Sequence, residues 1–109
     1  MLLSTTHSIE GASIEQYHGL VSGTAANGVN FVRDWFSRMR DFFGGRVSSL
    51  EAVVTDTRSQ AFVELSKRAE AAGANAVIGI QIAMYTTREG VLLFSVTGTA
   101  VTAIPKDVP

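Results

Sequence analysis

The chain has 109 residues, 46% hydrophobic and 17% charged, with a formal net charge of −1 and no cysteine. That length supports one core and one domain, and a charged fraction below the usual quarter points to extra buried surface. Near-neutral charge excludes bulk electrostatic capture of nucleic acid or anionic lipid, and the missing thiols exclude disulfides, thiolate catalysis and thiolate metal sites.

The first residues, MLLSTTHSIE, carry no basic n-region and no long apolar run, so a signal peptide is not expected. No stretch approaches the roughly 18 apolar residues of a transmembrane segment. A soluble, cytoplasmic protein is expected.

Leu2 to Thr6 reads as a short strand and Ile9-Glu10-Gly11-Ala12 as a turn. Ile14 to Ala25 is rich in Val, Ile, Tyr and Thr and predicts a long strand, weakened or bulged at Gly19 and Gly23. Asn27 then offers an N-cap for a helix to about Phe43. Phe31, Val32, Trp35, Phe36, Met39, Phe42 and Phe43 form its apolar face, and Gly44-Gly45 ends it.

A capping box, Ser48-x-x-Glu51, opens a second helix to about Ala72. Leu50, Val53, Val54, Thr57, Ala61, Leu65 and Ala69 recur along it at helical spacing, its alanines suit close packing, and Gly73 stops it. Ala76 to Tyr85 predicts a strand with Ile78, Ile80, Ile82 and Met84 on one face. Thr86 to Gly90 makes a hairpin turn.

The last strand, Val91 to Ala103, is apolar on both faces. Leu92, Phe94, Val96 and Ala100 fall on one side. Val91, Leu93, Val101 and Ala103 fall on the other, with Ser95, Thr97 and Thr99 between them. Helices can cover one side only, so Val91, Leu93, Val101 and Ala103 are the candidate interface with further copies of the chain.

The expected architecture is a single α+β domain over 1–109 in the order β-β-α-α-β-β. Strands occupy 1–26, two helices 27–73, a β-hairpin 76–104 and a tail 105–109. The sheet is expected to be antiparallel-rich and packed on the two helices.

No catalytic constellation emerges. There is no G-x-S-x-G elbow, and Asp34 and Asp41 sit among arginines, where solvated ion pairs explain them. The glycines form no phosphate-binding loop. His7 and His18 are the only histidines, on separate segments, which is a poor start for a metal site needing about four converging ligands. No metal site and no cofactor are expected.

The segments IEGASIEQYHGLVSGTA, NFVRDWFSRMRDFFGGR, AFVELSKRAEAAGANAVIGIQI and VTGTAV together resemble the YbjQ-like family, uncharacterised proteins labelled for heavy-metal binding. The resemblance spans nearly the whole chain in the same segment order. It implies a loosely dodecin-like α+β subunit that closes into a ring, typically a pentamer. Family members often carry acidic side chains where this chain has Asn75, Gln81, Ala83 and Tyr85. A GxxxGE pattern common in the family ends here in Gly23-Thr24. If those carboxylates bound a cation, the site is largely lost here.

The leading expectation is thus a non-enzymatic, ring-forming homo-oligomer that holds a small ligand or ion between subunits. Two alternatives stand beside it. One is a peripheral membrane or partner-binding module using the aromatic first helix. The other is a metal-binding protein, as the family label suggests.

Overall fold

The structure, a computed structural model, describes residues 1–27, 47–88 and 90–106. Four strands and one helix follow in the order β1 (Leu2–Leu3), β2 (Ala12–Asn27), α1 (Val47–Ala71), β3 (Ala76–Thr86) and β4 (Leu92–Pro105). The α+β class holds. The order among the described residues is β-β-α-β-β, with one helix instead of two. The aromatic helix expected from Asn27 to Phe43 falls almost wholly at 28–46, outside the described residues.

The strands form one sheet in the order β1-β3-β4-β2. β4 is central and antiparallel to both β2 and β3, while β1 runs parallel to β3. The sheet is therefore mixed but mainly antiparallel. The turn before β2 is closed by the Ala12 N–H donating to Ile9 at 3.2 Å, with Gly11 at φ +82. The β3–β4 turn is closed by Thr87, whose N–H donates to the Val91 carbonyl at 3.0 Å and whose hydroxyl accepts from the Val91 N–H at 3.1 Å.

Helix α1 buries Val53, Thr57, Ala61, Leu65 and Ala69, one residue in four, against one face of the sheet. Leu65, Ala61 and Ala69 meet Val77, Ile80, Phe94, Val96 and Ala100 there. The helix already includes Val47, so Ser48 lies inside it and not at its cap. The chain leaves it through Gly73, at φ +90.

Several local expectations change. β2 runs on to Asn27, and the helix that Asn27 is expected to cap lies outside the described residues. The Asn27 side-chain amide donates to the buried Thr57 hydroxyl, which in turn donates to the Val53 carbonyl at 2.8 Å. Gly23 is not a bulge. It pairs in register with Val96, and a Cβ there would lie 2.1 Å from the Ala61 carbonyl oxygen. The bulge expected at Gly19 is present, as a register shift between Tyr17 and Gly19 with Gly19 at φ +107, and a second shift falls between Ile14 and Gln16. Pro105 ends β4 and is not part of a tail.

The largest correction lies in β3. The register slips between Ile78 and Gln81, with Gly79 at φ +62. One extra residue reverses which way the side chains point. Ile80 faces the helix, whereas Ile78 packs on the opposite side with Ala76 and Val101. Ile78 therefore does not share a face with Ile80, Ile82 and Met84.

Candidate functional site

The face of the sheet turned away from α1 holds the predicted interface residues. Pairing across β2, β4 and β3 places side chains in four successive rows. They are Leu20–Thr99–Ile78, Ser22–Thr97–Gln81, Thr24–Ser95–Ala83 and Ala26–Leu93–Tyr85. Opposed residues in antiparallel strands share a face, so the twelve side chains form one surface. It carries five hydroxyls and one carboxamide at its centre and no charge. Leu20, 81% exposed, stands at one end, and Tyr85, 61% exposed, at the other.

The four candidate residues fare differently on that face. Leu93 is half-buried beside Tyr85, and Val91 is half-buried just before β4. Val101 is fully buried within the subunit, under Ile9 and Ile14, together with Ala76 and Ile78. Ala103 borders the same small cluster. The N-terminal segment thus supplies a lid for one end of this face. The sequence contains the signal, Ile9 and Ile14 flanking a turn, but β1 adding as a parallel edge strand is a non-local event that periodicity does not show.

The histidines are held apart. The His18 ring Nε2 lies 2.7 Å from the Thr102 hydroxyl, which donates onward to the Gly73 carbonyl at 3.4 Å. His7 sits by the Gly79 bulge, its Nδ1 3.4 Å from where a Cβ would stand on that glycine. No group of three His, Cys, Asp or Glu gathers among the described residues. Since the chain has two histidines and no cysteine, the donors of a single copy do not fit a soft-metal site. Asn75, one of the positions where the family resemblance expects an acid, is engaged in structure. Its amide donates to the Ala103 carbonyl and its oxygen accepts from the Ala103 N–H, both at 2.8 Å.

Among the described residues, no helix is long and apolar enough to cross a membrane.

Comparison with known proteins agrees with the architecture. A UPF0145 protein of Pseudomonas putida (strain F1) is 46% identical over 103 residues, covering 93% of this chain and 97% of its own. One from Anoxybacillus flavithermus is 46% identical over 101 residues, with coverage of 93% and 96%. A crystal structure of a protein of unknown function from Pediococcus pentosaceus, of the DUF74 family, superposes with a TM-score of 0.61. It shares 16% identity and covers 94% of this chain and 96% of that one, so the likeness concerns the fold. None of these names carries an enzymatic activity. The YbjQ family model, described as "Putative heavy-metal-binding", matches residues 1–104, and the chain belongs to that family.

Proposed function

We propose that the chain is a non-enzymatic subunit of a ring-shaped homo-oligomer, a pentamer by its family resemblance, acting in the cytoplasm. A small ligand or ion is held between copies or in the central channel. The observation that carries this reading is the sheet face turned away from α1, with an uncharged hydroxyl centre bounded by Leu20, Leu93 and Tyr85. A face without charge and with large apolar side chains at its margins suits contact with protein better than contact with bulk water.

Light scattering at tens of micromolar, paired with native mass spectrometry, tests the reading. A mass near five times the 11.6 kDa chain is expected, and a clean monomer overturns the proposal. The same spectra, taken without added ligand, report any small molecule that co-purifies.

The family description favours heavy metal as an alternative cargo. Because one copy lacks a fitting donor set, this alternative requires several copies to contribute ligands around a symmetry axis. Elemental analysis of the purified assembly tests it.

A further inference from the structure

Among the described residues the sheet has two margins without a strand partner, on opposite sides. β2 is the edge strand on one of them, over its sixteen residues. β3 is covered by the N-terminal segment only at its start, where Ser4 and Thr6 bond to Val77, Gly79 and Ile80. From Gln81 to Thr86 its outer side has no strand partner among the described residues. Natural edges are guarded by charge, proline or brevity. These two are not. Gln16–Asn27 contains no acidic residue, lysine, arginine or proline, and neither does Ala76–Thr86. Both expose large apolar side chains, Tyr17 and Leu20 on β2 and Ile82, Met84 and Tyr85 on β3.

The backbone parity of both margins can be read. The Ser22 carbonyl accepts from the Arg68 guanidinium at 3.3 Å, so Ser22 aims its peptide groups outward, and by alternation so do Leu20, Thr24 and Ala26. The Ile80 N–H, donating to Ser4, sets Ile82, Met84 and Thr86 outward on β3. The Arg68 contact is long and exposed, and an incoming strand would displace it.

We infer that the β2 edge of one copy pairs with the Gln81–Thr86 edge of the next, continuing the sheet from subunit to subunit. The inference rests on the assembly reading above and names the contact that makes it. β2 and β3 run parallel within one sheet, both being antiparallel to β4. A copy moved sideways by rotation about one axis therefore presents β3 parallel to the β2 it meets. The α1 helices stay on one side and the hydroxyl faces on the other. Because the contact joins two different edges it is heterologous, and repetition closes a ring or grows a filament. Two β2 edges pairing with each other would give a dimer with two outer margins still open.

Cysteine cross-linking tests this cleanly, since the natural chain has no thiol. Ser22→Cys or Thr24→Cys marks β2, and Gln81→Cys or Ala83→Cys marks β3, all on the face turned away from α1. Full-length double variants, one position from each strand, are treated with a short bis-thiol reagent, with each single variant as control. Light scattering is run beside them.

At least one double variant should give a covalent ladder ending at the copy number of the ring. The single variants should stay several-fold below it. Dimers from a β2 variant alone would overturn the inference in favour of β2–β2 pairing. An assembly that cross-links in none of the four combinations would overturn the edge contact and leave the assembly reading standing. A monomer in light scattering would overturn both.

Discussion

The side-chain amide of Asn75 pairs with both backbone groups of Ala103, each at 2.8 Å, as a strand residue would. The Asn75 N–H also donates to the Val101 carbonyl at 3.1 Å. One residue thus ties the loop after α1 to the outgoing end of β4. An aspartate could accept from Ala103 but could not donate to it. Asn75→Asp should therefore lower stability by about 1 kcal/mol, and Asn75→Ala by about 1–2 kcal/mol, on the usual net worth of a hydrogen bond. Urea denaturation decides it. An unchanged midpoint in Asn75→Ala would show that the paired bonds do not contribute.

Gly23 marks where α1 crosses β2 with no room between. A Cβ there would meet the Ala61 oxygen at 2.1 Å and the Leu65 nitrogen at 2.6 Å, both backbone atoms that cannot rotate away. Gly23→Ala should cost at least the ~1–3 kcal/mol typical of overpacking, because a whole helix must lift. Gly11→Ala is the contrast, with nothing within 4 Å of its Cβ but a φ of +82. There the cost is backbone strain alone, of order 1–2 kcal/mol. Thermal melts of the two variants should rank Gly23→Ala the worse, and the reverse ranking would argue that the helix yields easily.

How much of this was legible beforehand depends on the range of each interaction. Helix α1 announced itself through Val53, Thr57, Ala61, Leu65 and Ala69, because helical periodicity is a local property. The three long strands showed in their β-branched runs. The faces of β3 were misread because the bulge at Gly79 depends on β1 and β4, which lie far away in sequence. Gly23 looked like a bulge for a similar reason. A glycine that admits a helix backbone and one that bends a strand are the same letter. The candidate interface was legible as a two-faced strand, but not that Ile9 and Ile14 cover Val101.

The Asn27–Thr57–Val53 relay is buried where β2 meets the helix. Thr57→Val keeps the shape but removes the acceptor for the Asn27 amide. Leaving that donor unpaired should cost about 1–3 kcal/mol. Thr57→Ser retains the hydroxyl and should recover most of it. Chemical denaturation of both variants checks the point, and equal losses would assign the effect to packing at the lost methyl.

Position along α1 should separate core from surface just as sharply. Leu65 is fully buried among Val77, Phe94 and Val96, whereas Val63, two residues earlier, is 53% exposed. Leu65→Ala should cost about 2–5 kcal/mol, the range for emptying a packed site. Val63→Ala should stay within about 0.5 kcal/mol, as exposed substitutions do. A large loss at Val63 in the assembled protein, absent in dilute solution, would mark this helix face as an interface.

Leu93 and Val101 lie on the same face of β4, yet a charge at each should do different damage. Val101 is enclosed by Ala76, Ile78, Ile9 and Ile14 of its own chain, so Val101→Asp buries a carboxylate without a partner. That variant should fail to fold, seen as loss of the cooperative melt by circular dichroism. Leu93 stands beside Tyr85 at the open end of the face and is only half-buried within the subunit. Leu93→Asp leaves its charge solvated in a lone subunit and desolvates it only when another copy covers the face. A folded subunit with a normal far-ultraviolet spectrum but reduced mass in light scattering is the expected result. If Leu93→Asp instead keeps the mass of the wild type, the face at Leu93 is not the contact between copies. If it unfolds as Val101→Asp does, the subunit cannot stand outside its assembly.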